Sequence, residues 1–170
     1  MPAPELAALE PAALAAALRP LWEDAGPLVG LLAGRSFTGW SELIDVAEAQ
    51  IAAMGPEQQT ALLRAHPRLG APPTALRARS ATSYVEQGAG AFPDDGTGRQ
   101  LEALNDQYEA RFGFPCVEWV AGRPLAALVP VIAARMERSR PTELAAGCAA
   151  LVAIARDRLH RFHGGEPAGG

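Results

Sequence analysis

The sequence predicts an all-α, single-domain fold, an irregular bundle of about seven or eight helices. Three observations carry this reading. Apolar residues recur at helical spacing almost throughout, runs that alternate at the strand period are weak, and prolines and glycines punctuate the chain at helix-length intervals. The 170 residues are enough for one sizeable core. Residues 1–163 read as that domain, and the glycine-rich residues 164–170 as a flexible tail.

Each element follows from its own residues. Leu6 to Leu18 repeats leucine and alanine at helical spacing, and Pro20 and Pro27 divide the next stretch into short pieces. After Gly39, the residues Leu43, Ile44, Ala47, Ile51 and Met54 recur three or four apart, with Thr38 or Ser41 as candidate cap and Gly55 as the stop. Pro56 suits the first position of a helix from Glu57 to about Ala65. That helix ends at His66-Pro67, because a residue before proline is pushed out of the helical region. Residues 67–79 read as a loop stiffened by Pro72 and Pro73. A short helix is expected near Ser80 to Ala89, followed by a turn-rich stretch containing Gly90, Pro93, Gly96 and Gly98. Thr97 caps a long helix to Phe112, which Gly113-Phe114-Pro115 ends. Helices from Pro124 to about Arg138 and from Pro141 to about Phe162 complete the chain.

Composition narrows the function classes. Hydrophobic residues make up 49% and charged residues 20%, with net charge −4, as in an ordinary globular protein. All 15 basic residues are arginines spread along the chain, which gives nucleic-acid binding no support. Without lysine there is no Schiff-base, pyridoxal-phosphate or P-loop lysine. Cys116 and Cys148 lie far apart, form no CxxC, and read as small buried apolar side chains rather than a disulfide or a thiolate metal site. The N-terminus lacks the basic residues and apolar run of a signal peptide, and no stretch is long and apolar enough to span a membrane. The expected location is a reducing cytoplasm.

The remaining chemistry concentrates in two segments, His66-Pro67-Arg68-Leu69-Gly70 and Ser83-Tyr84-Val85-Glu86-Gln87. His66 sits at a helix end, where an imidazole is favoured simply as a partner for the last carbonyls. It is also a group that titrates near neutral pH, held at a rigid proline corner. Ser83, Glu86 and Gln87, at i, i+3 and i+4, share one helix face. Ser83-x-x-Glu86 also matches a capping box, although Ser80 competes for the cap. If Ser80 takes it, the face is free to meet a ligand, and Glu86 beside His66 makes an acid–base pair. Arg158 lies four residues after Ile154, beside Leu159, where a guanidinium could fork onto a substrate carboxylate; Arg156 and Arg161 read as solvated. His160 and His163 have metal-ligand spacing but no obvious carboxylate or cysteine partner, so no metal is expected. Tyr108 and Phe112 read as core, and Asn105, the sole asparagine, as a bond to loop backbone. The apolar, irregular stretch from Phe114 to Val120 leaves backbone amides that need partners, which a urea-like ligand could supply.

These residues resemble the OHCU decarboxylase family, which acts on 2-oxo-4-hydroxy-4-carboxy-5-ureidoimidazoline in urate breakdown. The resemblance lies in Leu63-Arg64-Ala65-His66-Pro67, in Ser83 to Gln87 with Ala89-Gly90, in the run from Leu104 through Asn105, Tyr108 and Arg111 to Pro115, and in Ile154 to Leu159, four blocks in family order. It implies an all-α homodimer that makes (S)-allantoin without a cofactor. It further implies that His66 is the acid–base group, that Glu86 works beside it, and that Ser83 and Gln87 hold the ureido or ring groups. Pro67 would shape the pocket floor. Cys116, Val117, Glu118, Trp119 and Val120 would offer backbone contacts, and Arg158 would take the substrate carboxylate or a ring oxygen. Arg68 stands where the family often has aspartate, Arg111 where it often has lysine, Cys116 where it often has phenylalanine, and Ser139 where it often has asparagine. Of these, Cys116 bears on pocket packing. Three alternatives keep the fold and change the activity: a non-catalytic helical binding module, a decarboxylase for a related ureido acid, and a metal-dependent hydrolase using His66, Glu86 and His160.

Overall fold

The computed structural model describes residues 9–23, 26–70 and 96–162. Among these residues there are seven α-helices and no strand: α1 (Pro11–Leu18), α2 (Gly26–Leu32), α3 (Trp40–Ala53), α4 (Pro56–Arg64), α5 (Thr97–Phe112), α6 (Leu125–Arg135) and α7 (Arg140–Phe162). The helix expected over Ser80 to Ala89 and the tail after His163 lie outside the described residues.

The predicted apolar spacing is what packs. In α3, Leu43, Ile44, Ala47 and Ile51 are all buried. Each such leucine or isoleucine contributes about 1.5–3 kcal/mol by leaving water. The helix is not capped by Ser41, nor by Thr38 in the usual sense. Gly39 holds the cap position, and Glu42 in the first turn reaches back to accept from the Thr38 backbone N–H (2.5 Å) and hydroxyl (2.6 Å). Pro56 opens α4, as its missing N–H permits. Gly113 ends α5 with φ 84°, a left-handed value that glycine adopts without strain. α6 stops at Arg135 rather than Arg138. Beyond it the chain tightens into three-residue turns, Glu137 N–H to Ala134 O (3.3 Å) and Arg138 N–H to Arg135 O (3.1 Å).

α7 is the long strut of the domain and packs on α3 and α4, while α2 lies against α1, α3 and α4, and α5 pairs with α6. The α4–α7 approach is close because of Gly147. A Cβ there would fall 2.9 Å from Leu63 Cδ1. Leu63 is three residues before His66, so this contact fixes the height at which the α4 terminus meets α7. The loop after α4 is pinned to α5 by the buried Asn105, whose Nδ2 donates to Leu69 O at 2.7 Å. Arg68 adds a surface fork to Glu109 (2.6 and 2.7 Å) and a bond to Asp106 (2.9 Å). Gly70 turns the loop with φ 65°, and any Cβ there would stand 2.7 Å from Leu101 Cδ1.

Candidate active site

His66 stands where the sequence places it, one residue past the C-cap of α4, with its N–H on Leu63 O at 3.0 Å and the buried Pro67 behind it. Its Nδ1 lies 3.1 Å from Oε2 of Glu23, and both side chains are only 9% exposed. The other oxygen of Glu23 accepts from Arg158 Nη2 at 2.5 Å, and Arg158 Nη1 donates to Leu21 O at 2.9 Å. Arg158 is 1% exposed. The structure therefore brings together two of the predicted residues, His66 and Arg158, through a third that the sequence did not reveal. Burial works to raise the Glu23 carboxyl. The hydrogen bonds and charges of His66 and Arg158 outweigh it and hold the group well below the usual carboxylate range, so it stays ionised. Trp22, Glu23, Leu62, Ala65, His66 and Leu151 close this side of the imidazole around a hollow of about 10 Å³, room for a single water at most. Among the described residues, Glu23 thus supports the imidazole from a largely buried position.

The predicted contact segment hangs on a different buried cluster. Arg135 of α6 donates to Val117 O (2.9 Å), to Glu118 Oε2 (2.8 Å) and to Glu143 Oε2 (2.7 Å). Glu143, fully buried, also accepts from the Tyr108 hydroxyl at 2.5 Å, which ties α5, α6, α7 and this segment together. Cys116 is buried against the same groups. Burial, with Glu143 and Glu118 adding to it against Arg135, pushes its thiol up to about 12. Cys148 is buried too, and neither cysteine is in a disulfide. Val117 and Val120 are buried, Glu118 is bridged to Arg123 (2.7 Å), and Trp119 is 42% exposed with its carbonyl held by Arg123.

A second, open recess of about 420 Å³ is lined by Arg64, Arg68, Glu109, Gly113, Phe114 and Pro115. Its lining brackets both predicted segments, since Arg64 and Arg68 flank His66-Pro67 and Pro115 precedes Cys116. The Arg64 Nε bond to Gly113 O (2.8 Å) ties its two sides. Ser83, Glu86 and Gln87 lie outside the described residues, as does His163. Among the described residues no three His, Cys, Asp or Glu side chains are grouped as metal ligands, and no helix is long and apolar enough to cross a membrane.

Comparison with known proteins adds independent information. The family model for OHCU decarboxylase matches residues 7–160. A uric acid degradation bifunctional protein, PucL of Bacillus subtilis (strain 168), is 30% identical over 125 residues, covering 74% of this chain and 25% of that protein. Two solved structures share the fold. A crystal structure of (S)-allantoin synthase superposes with TM-score 0.66 at 19% identity, over 91% of this chain and 51% of that one. A crystal structure of OHCU decarboxylase in the presence of (S)-allantoin gives TM-score 0.70 at 15% identity, over 88% and 98%. The chain thus spans about a quarter of PucL and about half of the allantoin synthase chain.

Proposed function

The chain belongs to the OHCU decarboxylase family, and from that premise we propose that it decarboxylates 2-oxo-4-hydroxy-4-carboxy-5-ureidoimidazoline to (S)-allantoin in urate breakdown, with no cofactor. The observation that carries this reading is the largely buried imidazole of His66, held at a proline corner with its Nδ1 3.1 Å from Glu23 Oε2.

The substrate carries its own electron sink. Its carboxylate leaves from a carbon next to a ring carbon doubly bonded to nitrogen. The electron pair of the breaking C–CO2 bond moves toward that imine and displaces its π pair onto the ring nitrogen, which takes a proton from water. The 4-hydroxyl proton is given up as C4 becomes a carbonyl, and C5 gains a proton. The protein need only hold one pose and manage the proton, which a positioned imidazole does. Protonation on one face of C5 sets the handedness of the product. In this reading His66 is the acid–base group and Pro67 the floor. Glu86, Ser83 and Gln87 face the ureido and ring groups, and the backbone of Cys116, Val117, Glu118, Trp119 and Val120 supplies further contacts. Arg158 is assigned to the substrate carboxylate or a ring oxygen. Two of the five N–H donors of its guanidinium go to Leu21 O and Glu23, which fix the plane in which the group is presented. The same reading makes the working form a cytoplasmic homodimer that binds a small molecule and neither nucleic acid nor membrane.

The test is to add freshly generated urate-oxidation intermediate and follow the product by circular dichroism, with and without a chelator. The expected result is rapid growth of the (S)-allantoin signal at a rate the chelator leaves unchanged. Racemic product at the spontaneous rate contradicts the assignment, and loss of activity to the chelator favours a metal-dependent reaction.

A further inference from the structure

We infer that Glu23 is a positioning residue that locks His66 as the Nδ1–H form, leaving Nε2 as the only nitrogen that exchanges a proton with substrate. Ionised, a carboxylate accepts hydrogen bonds and donates none. One oxygen of Glu23 is taken by Arg158 Nη2 at 2.5 Å. The other stands 3.1 Å from His66 Nδ1. A bare Nδ1 there would set a lone pair against a buried negative charge, so Nδ1 carries the hydrogen whether the ring is neutral or cationic.

Arg158 has a part in this. Its guanidinium cannot lose its proton, and it is fixed by Leu21 O at 2.9 Å. It keeps Glu23 ionised inside the protein and sets which oxygen faces the imidazole. Arg64 and Arg68, the other charged groups on the His66 segment, are turned to Gly113 O and to Glu109 and Asp106. Glu23 is only 9% exposed and meets Arg158 with one oxygen and His66 with the other, so it acts on the reaction through His66. The catalytic part of this inference rests on the decarboxylase reading. There, the Nε2 lone pair takes the proton of the 4-hydroxyl, the imidazolium so formed is partnered by Glu23, and the same N–H bond breaks to deliver a proton to C5. The former imine nitrogen, which received the electron pair, takes its proton from water. The tautomer itself does not depend on what the substrate is.

Glu23→Gln makes the inference sharp. Arg158 needs an acceptor, so the glutamine oxygen turns to it and the amide NH2 turns to His66. That amide donates to Nδ1 and forces the hydrogen onto Nε2, inverting the tautomer. Long-range proton–nitrogen NMR on 15N-labelled protein, followed upward in pH until the His66 nitrogen shifts stop changing, reads this directly. His66 is assigned by the signal that His66→Asn removes. The expected result is a protonated Nδ1 and bare Nε2 in wild type, the reverse in Glu23→Gln, and the wild-type pattern kept in Glu23→Asp. With the family substrate, kcat of Glu23→Gln should fall about 10³–10⁴-fold, as for an amide in place of a carboxylate behind a catalytic histidine. KM should move less than about 3-fold, and Glu23→Asp should recover most of the loss.

A wild-type His66 protonated on Nε2 overturns the inference, whatever the variants do, as does a Glu23→Gln protein with the wild-type tautomer and near wild-type kcat. If Glu23→Gln fails to fold, the wild-type and Glu23→Asp spectra decide. The expected tautomers in a protein that makes no allantoin would sink the decarboxylase reading and leave the role of Glu23 standing. Full activity with the opposite tautomer would do the reverse.

Discussion

Replacing Glu143 by alanine should cost the fold about 3–4 kcal/mol, and the structure says why. Glu143 is fully buried and accepts from the Tyr108 hydroxyl, from Arg135 Nε and, more distantly, from Arg138 Nη1 at 3.4 Å. Its loss leaves the buried Tyr108 hydroxyl without its acceptor, at about 1–3 kcal/mol. Arg135 loses one of two carboxylates inside the protein, and breaking a buried pair by removing one partner costs about 3–5 kcal/mol. The full sum does not apply, because Arg135 keeps Glu118 at 2.8 Å and Val117 O at 2.9 Å. Against a total stability of about 5–15 kcal/mol, that change is large. Urea unfolding followed by circular dichroism measures it. The midpoint should fall by about 1.5–2 M with an unchanged slope, taking a slope of about 2 kcal/mol per molar. Glu143→Gln, which keeps an acceptor and the shape, should lose only about half as much. The same substitutions loosen the Cys116–Val120 segment, because Arg135 is its anchor. A loss below about 1 kcal/mol for Glu143→Ala would refute the reasoning, since a carboxylate so paired and so buried cannot be removed that cheaply.

Other consequences can be checked in the same way. Gly70→Ala should destabilise by about 2–4 kcal/mol in urea, combining left-handed strain with an overlap on Leu101. Arg68→Ala, which breaks an ion-pair fork at the surface, should change stability by no more than about 1 kcal/mol. Burial holds the thiols of Cys116 and Cys148 up at about 12 and about 11, so at pH 8 both should resist a disulfide reagent in the native protein and react together once denatured. Glu23 sits below its unfolded value of about 4.5 because His66 and Arg158 outweigh burial. The unfolded chain therefore binds the proton first. The stability Glu23 contributes is present above about pH 4.5 and is lost as pH falls further, so wild type should lose stability more steeply below that point than Glu23→Gln.

Much of the fold was legible because it depends on short-range rules. The buried row of α3, the proline start of α4, its end at His66-Pro67 and the glycine stop after Phe112 are each written within a few residues. Asn105 could be read as a loop anchor, since a lone amide on an amphipathic helix near a proline-rich loop has few other uses, and it does bind Leu69 O. The candidate site was half legible. His66 and Arg158 stood out as residue types suited to chemistry, but Glu23 did not. It is 135 residues from Arg158 along the chain, follows a tryptophan in a broken stretch, and repeats with no period. Its value comes only from how α7 and the α4 terminus meet, which periodicity does not encode. Arg135 left a trace that could have been followed. It continues the face of Leu125, Leu128 and Ile132, and an arginine in a core register must carry buried partners with it. Trp119 was read only as a source of backbone contact, and its exposed ring, with the carbonyl held by Arg123, has no signal in the apolar run around it.

The account turns on His66, and His66→Asn tests it most directly. Wild type and variant, matched by urea midpoint and far-ultraviolet circular dichroism, would be given the same fresh urate-oxidation intermediate while the sign and rate of the allantoin signal are recorded. The account predicts (S)-allantoin from wild type and a fall of about 10²–10⁴-fold in the variant, the range a positioned acid–base group supplies, with only slow racemic product left. Stereospecific turnover by His66→Asn at near the wild-type rate would contradict it.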